Sequence, residues 1–112
     1  MRPYHQLRSK ARRAAALTLR ICRRVPRCAS KLAEQAINSS SSSSLNIAEG
    51  LGRTGKSRLY HLEVAYGSAE EAGDTLEILR DGGVFAGAEV DPILALLDEC
   101  RAMTWRMMHP RR

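Results

Sequence analysis

Aromatic side chains are nearly missing from this sequence. Its 112 residues include one phenylalanine, one tryptophan and three tyrosines, 4% in all. A surface that stacks successive bases on aromatic rings needs more than that, so base stacking is excluded as a principal activity. The β-branched apolar runs that feed parallel sheets are missing too. Alanine and leucine carry the apolar content, which favours helix. Cysteine is scarce: Cys22, Cys28 and Cys100 are odd in number and show no C-x-x-C spacing. That excludes a disulfide framework or a zinc site and predicts reduced thiols in a cytoplasmic protein. His5, His61 and His109 form no E-x-x-H or H-x-x-x-H pair, so no di-metal bundle site is written here. No apolar run approaches the ~20 residues that span a bilayer. The first residues carry charge where a secretory signal would be apolar. They superficially suit an organelle transit peptide, but helical patterning draws them into the fold. No cofactor, metal or membrane is therefore expected.

Acid is also absent from one end. Met1 to Lys31 holds ten Lys/Arg and no Asp/Glu, whereas the rest holds eight basic and twelve acidic residues, giving a net charge of +6. Such asymmetry suits a surface for nucleic acid or an acidic partner. It equally suits a basic helix that pairs with acidic helices of the same bundle or of a neighbouring subunit.

Helical periodicity runs through the chain. Leu7, Ala11, Ala14, Thr18, Ile21 and Val25 recur at three- and four-residue spacing and predict a helix over about residues 5–24, stopped by Pro26. Ser30 is placed to cap the next, over about 30–50, with Leu32, Ala36, Ser40, Ser43 and Ile47 on its stripe. The six serines 39–44 have linker composition. Both flanks keep one phase, however, so the segment is predicted helical, with bending at the serines. Ser57 or Thr54 caps a third helix over about 57–81, striped by Leu62, Ala65, Ala69, Ala72, Leu76 and Leu79. Gly82-Gly83 ends it. Asp91-Pro92 reads as a cap and first turn, opening a fourth helix over about 91–108. It carries Ile93, Leu94, Leu97, Cys100, Thr104, Met107 and Met108. Four such helices on short links make one all-α, antiparallel up-down-up-down bundle spanning 1–112.

"GLGRTGKS", residues 50–57, fits the phosphate-binding template G-x-x-x-x-G-K-[ST]. In that template glycines aim backbone N–H groups at phosphates, the lysine reaches the terminal phosphates and the hydroxyl holds Mg²⁺. The geometry requires a buried strand leading in. "NSSSSSSLNIAEG" upstream cannot supply one, so the match reads as a turn between helices. A nucleotide-binding enzyme is the least favoured function.

The segments "NIAEGLGR" and "AYGSAEEA" carry a resemblance. Together they resemble the four-helix bundle family encoded in 23S rRNA intervening sequences, itself similar in fold to accessory proteins of diversity-generating retroelements. The likeness runs from Tyr4 to the last helical turn. The family signature falls on Asn46, Ile47, Ala48, Glu49, Gly50, Gly52 and Arg53, then on Gly67, Ser68 and Glu71. Two features depart from it: the serine run replaces a mostly apolar small-residue stretch, and the link from Arg53 to Leu59 differs by about one residue. The resemblance implies a bundle assembling as a ring-shaped homo-oligomer, often of five, and names no activity. By analogy it suggests a nucleic-acid enzyme such as a reverse transcriptase as a partner.

These signature residues read as structural. Glu49 and Arg53 are spaced for a helical ion pair. Asn46 is expected to bond a neighbouring helix, and Ser68 with Glu71 to make a buried contact between helices. His61 reads as surface; Trp105 and the nearby methionines read as core or subunit interface. The expected functional residues are Arg8, Lys10, Arg12, Arg13, Arg20, Arg23, Arg24 and Arg27, contacting RNA or DNA phosphates without base readout. The alternative is a protein–protein adaptor whose basic face docks an acidic partner. No catalytic residue is expected in either case.

Overall fold

The computed structural model describes residues 3–111 and contains four α-helices, with no strand among the described residues. They are α1 (Pro3–Ile21), α2 (Ser30–Leu51), α3 (Gly55–Asp81) and α4 (Gly87–Met108), with a 3₁₀ turn at Arg27–Ala29 before α2. Each helix packs on two others, α1 on α2 and α4, and α3 on α2 and α4. This places α1 and α3 at opposite corners of a bundle 46 Å long and about 22 Å across.

The apolar stripes meet in two layers. Leu7 and Ala11 pack with Ile47, Ala65 and Cys100. Ala14, Ala33, Ala36, Ala69, Ala72, Leu76, Ile93 and Leu97 fill the other. Small residues let the helices approach closely, and no buried side-chain polar atom among the described residues lacks a partner.

The serine run is continuous helix, as the phase of its flanks requires. Ser39, Ser40 and Ser43 are buried, and their hydroxyls are satisfied within the bundle. Ser39 Oγ donates to the Gln35 carbonyl at 2.8 Å and Ser40 Oγ to that of Ile37 at 3.2 Å. Ser43 Oγ crosses to the Ala65 carbonyl on α3 at 3.0 Å. A hydroxyl that returns to its own helix loses its main objection to burial.

Helix ends depart from expectation at several places. α1 stops at Ile21 rather than near residue 24, because the chain spends Cys22 to Val25 turning into the extended Pro26. Ser30 is the first helical residue of α2, and Ala29 occupies the N-cap position. Of the two expected caps of α3, Thr54 holds the N-cap position, without a side-chain capping bond, and the helix begins at Gly55 rather than 57. α4 begins at Gly87, not at Asp91, and contains Pro92. Val90 is fully buried, which draws the chain into helix early. Asp91 is spent on Arg80 at 3.0 Å, and Pro92 forfeits a bond only to Ala88, in the exposed first turns. Glu89 accepts from the Ala86 N–H at 3.3 Å, the reciprocal half of a capping box whose other half alanine cannot supply. The α3 C-terminus follows expectation: Gly83 takes φ +80°, with Gly83 N–H bonded to Arg80 O (3.0 Å) and Val84 N–H to Leu79 O (2.8 Å). That is a Schellman motif.

Candidate nucleic-acid interface

α1 buries Leu7, Ala11, Ala14 and Thr18. At ~100° per residue, Arg12, Arg13 and Arg20 project from the opposite side and Arg8 from the flank. All four are exposed, as are Arg23, Arg24 and Arg27 beyond the helix end. Arg20 also lies in the last turn, where positive charge complements the helix dipole. Among the described residues, none of these seven arginines forms an ion pair. Lys10 departs from the expected set. It is half-buried and bound to Glu99 of α4 at 2.6 Å. The acidic helices of the same chain therefore take one cation of α1 and leave a row of guanidinium groups in solvent. Leu19 is the large apolar residue on this face, 48% exposed.

The signature residues gather where α2 turns into α3. Arg53 donates through Nε and Nη2 to Glu49 Oε2 at 2.9 and 2.8 Å, the expected pair. This holds the Glu49 carboxyl below its usual range, chiefly by hydrogen bonding and then by charge. Asn46 Nδ2 donates to the Ser42 carbonyl at 2.9 Å, and its Oδ1 lies 2.9 Å from His61 Nδ1. A carbonyl only accepts, so the amide orientation is fixed and His61 Nδ1 carries a proton. His61 is thus a half-buried bridge between α2 and α3, not a surface residue. Ser68 and Glu71 do not bond each other as expected. Ser68 meets Ser42 at 3.0 Å, and exposed Glu71 accepts from Gln35 at 2.9 Å. Gly50 is buried where α3 crosses α2, and a Cβ there would lie 3.3 Å from His61 Cβ and Leu62 Cδ2. Gly67 is exposed on α3, with open space at its Cβ position.

The string 50–57 is divided between two helices. Gly50 and Leu51 end α2, Gly52 is its C-cap, and Gly55, Lys56 and Ser57 open α3. Gly55 alone of this group has positive φ, +59°. The turn's amides bond backward, Gly52 to Glu49 O (3.2 Å) and Arg53 to Gly50 O (3.1 Å). Its concave side is occupied by Arg58, whose Nε donates to Arg53 O (2.9 Å) and Gly50 O (3.3 Å) and whose Nη2 donates to Leu51 O (3.3 Å). A phosphate cradle needs inward-pointing free amides; this turn presents carbonyls closed by a guanidinium. Sequence reasoning passed over Arg58, although a cation just beyond a helix C-terminus is a recognisable capping signal.

A second exposed feature lies on α3 and α4. Leu59, Tyr66, Gly67, Trp105 and Met108 line an open cleft of about 470 Å³. Trp105 is 49% exposed and stacks on His109 with ring centroids 4.1 Å apart, so it is not a core residue. No cluster of three potential metal ligands occurs among the described residues, and no helix there is long and apolar enough to cross a membrane.

A family model described as 23S rRNA-intervening sequence protein matches residues 5–106. The match covers all four helices except the extremes of the first and last. No curated protein and no solved structure matches the chain.

Proposed function

The chain belongs to the 23S rRNA-intervening sequence protein family, and from that premise we propose a non-enzymatic, homo-oligomeric scaffold that binds RNA or DNA phosphates through α1. One observation carries the reading: seven exposed arginines on and just beyond one helix, none ion-paired with an acid among the described residues. Like charges held this close repel, and a polyanion relieves the repulsion while releasing its counterions. A bundle about 22 Å across cannot enter a ~12 Å major groove beyond the outer face of one helix. Of the exposed aromatic residues, Tyr60 and Trp105 lie on other helices, and Tyr4, at the start of α1, faces the Arg58 guanidinium. Contact with backbone phosphates, indifferent to sequence, is what such a face offers. The homo-oligomer, five copies by the family likeness, multiplies the charge by the subunit count. A nucleic-acid enzyme such as a reverse transcriptase is the protein partner that the retroelement likeness implies.

The test is binding of unrelated RNA and DNA duplexes and single strands, followed by fluorescence anisotropy from about 50 to 200 mM salt, a range over which phosphate contacts weaken steeply. Affinity that falls linearly in log–log form and varies little with sequence supports the reading. No affinity at the lowest salt defeats it and transfers the same arginines to an acidic protein partner.

A further inference from the structure

We infer that the C-terminal end of α4 is a second site, which stacks an unpaired base of a single-stranded nucleic acid on the Trp105–His109 ring pair and holds the strand's phosphates with Arg106 and Arg111. The inference rests on the nucleic-acid reading for the class of its ligand, but on none of the α1 arginines.

The rings of this chain are few but not scattered. Tyr4, Tyr60, Tyr66 and Trp105 all lie in the half of the bundle where α1 and α3 begin and α4 finishes, together with His5, His61 and His109. The one phenylalanine, Phe85, lies at the other end and is buried. Stacking successive bases along a strand needs a row of rings, whereas holding one base needs one platform.

Trp105 and His109, four positions apart, supply the platform. Their planes lie within 23° of parallel, with ring centroids 4.1 Å apart. His109 Nδ1 donates to the Trp105 carbonyl at 2.9 Å, which fixes the imidazole against the indole before any ligand arrives. Such pre-organisation spares a ligand the cost of ordering the rings. With His109 stacked on it, Trp105 is still 49% exposed. The pair lines an open cleft of about 980 Å³ with Tyr66, Arg101, Arg106 and Arg111, ample for a nucleotide. A base entering there extends the stack by one ring, and every base has a π face to offer.

The charge around the rings suits an anion. Asp98 and Glu70 are both taken up by Arg101, at 2.6 and 3.5 Å. Arg106 and Arg111 are exposed and form no ion pair among the described residues. Arg106, in the last turn of α4, also complements the helix dipole; Arg111 lies beyond the helix. Fixed rings beside two unpaired guanidinium groups fit a ligand that carries a π face and negative charge together. An apolar peptide would leave both guanidinium groups without a counter-charge. A duplex keeps its base faces inside its own stack, so the unpaired strand is what this end accepts.

Trp105 is the single tryptophan of the sequence, so its fluorescence reads this site alone. At about 50 mM salt, a single-stranded adenylate hexamer should quench it saturably, and an abasic hexamer of the same charge should not. Quenching should persist in Arg12→Gln/Arg13→Gln/Arg20→Gln/Arg24→Gln. In that background Trp105→Ala should weaken binding of an end-labelled adenylate hexamer, read by anisotropy, roughly 5- to 150-fold, the loss expected for one stacked base. Trp105→Phe should recover part of it. Arg106→Gln/Arg111→Gln should keep the quenching but flatten the log–log salt slope by roughly 0.7 for each phosphate lost. Circular dichroism confirms that each variant folds. Absence of quenching by the adenylate hexamer, equal quenching by the abasic one, unchanged affinity in Trp105→Ala, or an indole that acrylamide cannot reach in the wild type would overturn the site. Loss of the stacking signal with duplex affinity intact defeats this site alone. Quenching that persists without duplex affinity defeats the α1 reading and leaves the site standing.

Discussion

Arg58 donates to the carbonyls that end α2, where a helix is otherwise left unsatisfied. Arg58→Ala should lower stability by about 1–2 kcal/mol, because hydrogen bonds from a charged donor are the stronger kind. Arg58→Lys should recover only part, since an ammonium lacks the planar fork. Lys56→Ala, on an exposed position nearby, should stay within about 0.5 kcal/mol. Urea denaturation of the three variants checks this ordering; equal effects of Arg58→Ala and Lys56→Ala would contradict it. The Glu49–Arg53 pair makes a pH prediction. The folded pKa of Glu49 is depressed by Arg53, so its stabilisation is present above the unfolded value of ~4.3 and is lost as pH falls through the folded value. Stability measured from pH 7 down to 2 should show a shallower acid limb in Glu49→Gln than in wild type, with the two curves converging at the acid end. An unchanged limb would mean the pair is not held in solution. Spacing made this pair legible, because positions four apart on a helix must face each other. His61 was not legible. Its partner Asn46 sits fifteen positions away on another helix, and no local pattern reports that.

At the scale of elements, the helical stripes of α1 and α3 were readable because burial follows the 3.6-residue period at Leu7, Ala11, Ala14, Thr18, Leu62, Ala65, Ala69 and Leu76; of the expected α1 stripe, Ile21 is only partly buried and Val25 lies beyond the helix end. The start of α4 was not. Asp91-Pro92 has the residues of a helix start, but burial of Val90 and the demand of Arg80 for a carboxylate outweighed that local preference. The serine run shows the opposite balance: its composition says linker and its phase says helix. Phase prevails because each buried hydroxyl finds a carbonyl and each small side chain admits a neighbour. Ser43→Ala should cost about 0.5–1.5 kcal/mol, the value of its bond to the Ala65 carbonyl. Ser43→Leu should cost more, about 1–3 kcal/mol or above, since the α2–α3 contact has no room for three more carbons. Thermal melts distinguish the two. If leucine were tolerated as well as alanine, α2 and α3 would be farther apart in solution than the Ser43–Ala65 distance of 3.0 Å requires.

The whole molecule is a rod with positive charge along one edge and negative charge along the opposite one. The asymmetry itself was legible from ten basic and no acidic residues through Lys31. Its geometry was not, because which acids lie within reach of which arginines depends on how the helices pack. Lys10 finds Glu99, but the exposed arginines of α1 find no acid among the described residues. Binding should therefore respond to the number of these guanidinium groups rather than to any one of them. Replacing Arg12, Arg13, Arg20 and Arg24 by glutamine should weaken affinity by a similar factor for unrelated RNA and DNA sequences. The log–log salt slope should flatten by roughly 0.9 for each duplex phosphate no longer neutralised, or roughly 0.7 on single strands. Replacing Lys56 and Ser57 by alanine should change the slope by no more than a single phosphate's share, since Lys56 lies on α3 and apart from the α1 row. A quadruple variant with wild-type slope and affinity would place the nucleic-acid surface elsewhere on the bundle. Binding confined to one sequence would require base recognition that a row of arginines with a single exposed aromatic residue, Tyr4, on their helix does not provide.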